Sequence, residues 1–143
     1  MEIPSGLSNM FKEVHFENYP FVTAPQLFED ARGQIINIAD GNLGDVAVIF
    51  SKQSALRANH VHENDWHLSY MVFGSMSYSW NDGKVSHSVH VKAGDLIFTP
   101  PKIAHKMTFL EESCFVAVAA LNRDSENYEM DTTRLEDNFF EVE

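Results

Sequence analysis

From Gln34 onward the apolar positions fall in short runs broken by Gly, Pro, Asn and Asp. Asp30 to Gly33 reads as a turn, and Gln34 to Ala39 as a short strand. Asp40 to Gly44 turns again before a strong strand over Asp45 to Ser51, centred on Val46-Ala47-Val48-Ile49-Phe50. His60-Val61-His62 is strand-like. A turn at Glu63-Asn64-Asp65 leads into His67 to Phe73, which is apolar on both faces. Gly74 permits a turn or bulge. Ser75 to Trp80 alternates Ser with Met, Tyr and Trp, the period-2 pattern of a half-buried strand. Asn81-Asp82-Gly83-Lys84 predicts a hairpin turn, followed by a strand over Val85 to Val91. Leu96 to Thr99 ends at Pro100-Pro101, since proline cannot donate to a ladder. His105 to Phe109 and Cys114 to Leu121 complete the set.

Many short strands with turn signals between them predict an all-β sandwich or barrel. No long amphipathic helix is seen, and residues 124–137 have room for one helical turn. Residues 1–25 carry three prolines and little periodicity. They read as an N-terminal arm that packs on the barrel or on a neighbouring copy. The expected organisation is therefore one domain over 1–143, with an arm to 25, a barrel over 26–121 and an acidic tail over 122–143.

Composition narrows the classes. The chain has 143 residues, 44% of them apolar, with eleven Phe, enough for a sizeable core. No run is long and apolar enough to span a membrane, and the N-terminus has no basic start or apolar run of a signal peptide. The formal charge of −11 argues against binding to nucleic acid or to an acidic membrane surface. Much of that charge lies over Glu126 to Glu143, so it overstates the acidity elsewhere. Cys114 is the single cysteine and sits in the apolar run Cys114 to Val118. It reads as a buried small hydrophobe, and without an intrachain disulfide a cytoplasmic location is the default.

Candidate chemistry lies in two histidine clusters, His60-Val61-His62 with His67 and then His105. An H-x-H pair on a strand puts both imidazoles on one face. Imidazole is a common ligand for Zn, Cu, Fe and Ni. A single strand histidine is usually a core or surface residue, and that reading stands for His15, His87 and His90.

The spacing His60-x-His62-x4-His67-x6-Gly74, followed by Gly94-x5-Pro100-x4-His105, resembles the two motifs of the cupin superfamily. It departs where His67 replaces the usual Glu, where Lys102 replaces a Gly and where Phe109 replaces an Asn. The resemblance implies a double-sheet cupin barrel, jelly-roll-like, with a divalent metal (Zn, Mn, Fe, Ni or Cu) on His60, His62, His67 and His105. Four neutral imidazoles would leave the ion its full charge, making it a stronger Lewis acid.

A narrower resemblance is carried by Asp30-x-Arg32-Gly33, by Arg57-Ala58-Asn59-His60, and by Arg123-x4-Tyr128-Glu129-x-Asp131-Thr132-x-Arg134. These segments resemble the 3,5-epimerases and 3,4-ketoisomerases of nucleotide-sugar biosynthesis. In that group an R-G-x-H segment places an Arg beside the sugar nucleotide and a His as base. The resemblance implies Arg57 as a ligand-binding and catalytic residue and His60 as the proton-transferring base. Ala58 stands where the family has Gly. Metal ligation and base catalysis compete for His60, and Arg57 reads equally well as a structural ion-pair partner. Arg57 and Lys102 are the candidates for an anionic group of the ligand. The expected function is a metal-binding cupin acting on a carbohydrate or sugar nucleotide, of isomerase or epimerase type, and assembling as a homodimer. The alternatives are a metal-dependent dioxygenase with a four-His site and a non-catalytic metal- or sugar-binding cupin.

Overall fold

The computed structural model describes residues 21–23, 25–39, 43–122 and 124–141. His15, Arg123 and most of the expected N-terminal arm lie outside them. The strands are β1 (Phe21–Thr23), β2 (Gln26–Asp30), β3 (Gly33–Asn37), β4 (Asp45–Ser51), β5 (Leu56–His62), β6 (His67–Phe73), β7 (Ser75–Asn81), β8 (Ser86–Lys92), β9 (Leu96–Thr99), β10 (Ala104–Phe109), β11 (Ser113–Ala119) and β12 (Thr132–Arg134). Among the described residues a single helix, α1 (Ser125–Asp131), precedes β12. No helix among the described residues is long and apolar enough to cross a membrane.

Two five-stranded antiparallel sheets form the body, in the orders β1-β9-β6-β11-β4 and β12-β5-β10-β7-β8. The strand spacing is legible in the turn residues. Gly74 sits at φ +88, and a Cβ there would meet Ser113 Oγ and Glu112 O, so the β6–β7 turn requires glycine. Asp82 Oδ1 accepts from the backbone N–H groups of Lys84 and Val85, at 2.9 Å each, closing the β7–β8 hairpin.

The first sheet is apolar on both faces. Its inner face packs Met71, Ile97, Phe115 and Ala117 against Met76, Tyr78, Met107 and Phe109 of the second sheet. Burying side chains of this size contributes roughly 1.5–3 kcal/mol each. Its outer face gathers Trp66, Leu68, Leu96, Phe98 and Val118, covered in part by Ile38, Ala39 and Leu43.

Three strand segments went unrecognised in the pattern. β1 lies inside the expected arm and pairs with β9. β2 lies just beyond the arm and pairs only with β3 among the described residues. β12 lies inside the expected acidic tail and pairs with β5, Thr132 opposite His62.

Along the inner face, β6 and β10 change from apolar to polar in the same direction. β6 runs Met71, Ser69, His67, and β10 runs Phe109, Met107, His105. The apolar side chains therefore fill one end of the barrel, and the histidines gather at the other.

Candidate active site

His60, His62, His67 and His105 are all buried, with 8% exposure at most. The H-x-H pair places His60 and His62 on one face as expected, with ring centroids 4.3 Å apart. His105 comes in from β10 at 4.8 Å from His60. His67 lies 4.5 Å from His62 but 6.4 Å from His105. Ligand atoms of His60, His62 and His105 fall within 4.8 Å of one another, whereas His67 groups with His62 and Asp65. The expected four-His set is thus drawn into two overlapping groups that share His62.

The outward nitrogens of three rings are engaged. His105 Nδ1–H donates to Ile103 O at 2.9 Å. His62 Nδ1 lies 3.2 Å from Thr132 Oγ1, whose own proton goes to Tyr128 O. His67 Nε2 lies 2.9 Å from Asp65 Oδ2. Such outer partners fix the tautomer of a ring. His60 Nδ1 is buried with no hydrogen-bond partner among the described residues.

Burial, aided by the nearby His105, His62 and His67, drives the His60 pKa down to about 2. Burial likewise takes His105 down to about 3, against the pull of its bond to Ile103 O. Both are neutral imidazoles at neutral pH. Burial alone would raise Asp65, but the His67 bond, its charge and the Leu121 N–H outweigh it, and the carboxyl falls below its usual range.

A cavity of about 150 Å³ opens beside these rings, lined by Arg57, His60, His67, Ser69, His105 and Tyr128 among others. Arg57 and His60 share it because of a bulge. Three residues apart on a regular strand, they would face opposite ways. Ala58 and Asn59 both adopt left-handed backbone, φ 64 and 59, and the β5–β10 register slips between His105 and Lys106. That extra residue turns Arg57 back toward the cavity. Its guanidinium is held by Ser51 Oγ at 2.8 Å and Phe50 O at 2.9 Å.

Lys102 does not line this cavity. Its side chain is 71% exposed, and its ammonium lies 3.6 Å from Glu63 on the surface. Its backbone N–H, by contrast, holds His62 O at 2.7 Å. Asp30 and Arg32 pair with each other at the β2–β3 turn. His87 stacks on Trp80 at 5.0 Å and pairs with Asp82.

The residues not foreseen as site residues are Asp65, Ser69, Tyr128, Asp131 and Thr132. Tyr128 lines the cavity from α1, its ring 5.5 Å from His62. Asp131 accepts from Asn64 N–H, Asn64 Nδ2 and Asp65 N–H, at 2.8, 3.0 and 3.1 Å. It thereby docks α1 on the turn that follows β5. The Tyr128–Asp131–Thr132 signature was visible, but nothing in its spacing told where the segment would fold back.

No protein-family model matches the chain, and no curated protein matches it by sequence. Solved structures do match in shape. A TDP-quinovose 3,4-ketoisomerase from Campylobacter jejuni superposes with a TM-score of 0.71 at 20% identity, over 87% of this chain and 98% of that one. A 3,4-ketoisomerase from Helicobacter canadensis gives 0.70 at 18% identity, over 86% and 96%. A 3'-monoepimerase from Streptomyces bikiniensis, solved in complex with dTDP-quinovose, gives 0.70 at 15% identity, over 85% and 72%.

The fold is the cupin barrel. At these identities the likeness is one of architecture, and any activity has to be argued from the cavity itself.

Proposed function

We propose that this chain is a sugar-nucleotide isomerase or epimerase working in the barrel cavity. The reading is carried by the meeting of Arg57, His60 and Tyr128 on one cavity, in a fold shared with 3,4-ketoisomerases. A cavity of about 150 Å³ is smaller than the ~300–1,000 Å³ of sites for drug-sized ligands, which suits a single sugar ring. The nucleotide would then lie at the mouth, where Arg57 offers its guanidinium to the phosphates.

The chemistry needs no net change of atoms. A proton leaves the carbon next to a carbonyl while the carbonyl oxygen takes one, giving an enediol; a proton then returns to the same carbon from the other face as that oxygen gives its proton back, or to the former carbonyl carbon as the neighbouring hydroxyl gives up its proton and becomes the new carbonyl. His60 supplies a lone pair at the cavity wall, and Tyr128 a phenol proton for the developing oxygen.

A second reading concerns metal. General bases work best with a pKa near the operating pH, and His60 lies far below that. A neutral imidazole that resists protonation is the form a metal ion requires. The donor set fits a borderline divalent ion: three buried imidazoles, two of them with outward nitrogens already fixed, and a buried His60 Nδ1 lacking a hydrogen-bond partner among the described residues. His60, His62 and His105 would hold it, and when bound it would polarise a carbonyl oxygen.

The assembly in this reading is a homodimer. Val46, Val48 and Phe50 line the outer face of edge strand β4 at 59, 59 and 67% exposure, and the β2–β3 hairpin exposes Leu27, Phe28 and Ile35. A lone buried cysteine fits the cytoplasm.

The test is solvent-deuterium incorporation into TDP-4-keto sugars, followed by proton NMR, with metal analysis of wild type and His62→Ala. Exchange at the carbon beside the carbonyl is expected. Arg57→Ala should weaken binding of TDP about ten- to a hundredfold, for a charged hydrogen bond worth roughly 1.5–3 kcal/mol. Absence of both binding and exchange in the wild type overturns the isomerase reading. Oxygen consumption with another small substrate would install the dioxygenase in its place. Metal content unchanged in His62→Ala removes the metal site.

A further inference from the structure

His67 and Asp65 form a buried pair that neither the base nor the metal reading uses. Asp65 is 3% exposed and locked on three sides. Its Oδ1 accepts from Leu121 N–H at 3.0 Å, its Oδ2 faces His67 Nε2 at 2.9 Å, and its own N–H goes to Asp131 Oδ2 at 3.1 Å. A carboxylate can only accept, so the proton between Asp65 and His67 sits on Nε2. That nitrogen is then closed to a metal, and the ring's lone pair is on Nδ1. The ligand atoms agree, since those of His67 fall outside the His60–His62–His105 group, while the residue lines the cavity with His60 and Ser69.

We propose that Asp65 is a positioning residue that fixes His67 as its Nε2–H tautomer, making His67 a hydrogen-bond acceptor for a sugar hydroxyl and not a member of the metal-binding set. The consequence is a division of labour among four histidines in one wall. His60, His62 and His105 keep the base or metal-binding role. His67 reads the ligand, and Asp65 makes that reading directional by deciding which nitrogen accepts. The inference rests on the proposed function and deepens it, because it names what the cavity recognises: a hydroxyl group presented to the Nδ1 side of the His67 ring.

Asp65→Asn supplies the decisive test. Leu121 N–H still requires an acceptor, so the amide oxygen stays on that side and the amide NH2 turns to His67. It must donate to Nε2, which drives the ring to its Nδ1–H form. Nitrogen-15 NMR of histidine-labelled protein distinguishes the two tautomers directly. The wild type is expected to show His67 protonated at Nε2, and the Asp65→Asn variant at Nδ1. Zinc content after reconstitution should survive in His67→Gln and fall to background in His105→Ala.

A wild-type His67 protonated at Nδ1, or zinc lost from His67→Gln as fully as from His105→Ala, overturns the proposal. The wild-type spectrum decides the tautomer even if the Asp65 variant does not fold. If the wild type holds no zinc, the metal reading fails by itself, and the tautomer still decides the role of Asp65. A merely structural Asp65 would change stability and leave the His67 tautomer where it was.

Discussion

Arg57 and His60 line the same cavity although three positions separate them on one strand, and the two left-handed residues between them are the reason. Neither is glycine. Left-handed backbone costs an L-residue with a Cβ roughly 1–2 kcal/mol, so the bulge holds strain in order to aim two side chains.

Ala58→Gly should therefore be neutral to stabilising, by up to about 1 kcal/mol once the added freedom of the unfolded chain is counted. Ala58→Val should destabilise by more than about 1 kcal/mol, since a β-branched residue tolerates this conformation worst. Urea midpoints of the two variants check the pair. A stable Val variant would show that the bulge is absent.

Acid should destabilise the metal-free protein well above the carboxylate range. His60 and His105 have folded pKa values of about 2 and about 3. Unfolded, each titrates near 6.5. Below that pH the unfolded chain binds protons the folded one refuses, so stability falls with pH from about 6.5 toward about 3. Above about 6.5 this contribution is fully present. Thermal melts between pH 7.5 and 4 follow it, and His105→Asn should flatten the slope. A wild-type melting temperature constant to pH 4.5 would contradict the buried neutral pair.

The uncovered face of β4 sets an expectation for assembly. Replacing Phe50, 67% exposed, with Glu should leave a monomer stable and a dimer broken. Sedimentation equilibrium at micromolar concentration reads the difference. A monomeric wild type would leave Val46, Val48 and Phe50 as an apolar patch with another occupant.

The barrel was legible because its signals are local. Strand alternation, the Asn81–Lys84 turn and Gly74 each act within a few residues. The histidine cluster was legible because H-x-H is a statement about parity. What escaped depends on distant pairing or on broken parity. Arg57 needed the bulge to reach the cavity, and Ala58 in place of Gly concealed it. His67 held the motif spacing of a ligand, but Asp65, two residues away and on the same face, turned one of its nitrogens aside. Lys102 was read as an anion-binding side chain, yet its contribution near the histidines is a backbone N–H to His62. β12 is three residues long and finds its partner some 70 positions upstream, which no local pattern encodes.

The docking of α1 has a consequence for how a ligand gets in. Tyr128 roofs the cavity from a seven-residue helix that Asp131 ties to residues 64 and 65, and β12 then clips on through a three-residue ladder. These are polar bonds at the rim, whereas the walls behind them are apolar and interlocked. Cooperative units of unequal strength open separately. The roof can therefore come away, taking edge strand β12 off β5, while the other strands of both sheets stay paired, and amide protons over 125–134 should exchange with solvent long before those of β6 and β11. Access to the histidines is then governed by the free energy of peeling one short segment, a quantity that can be tuned at Asp131 without touching the barrel.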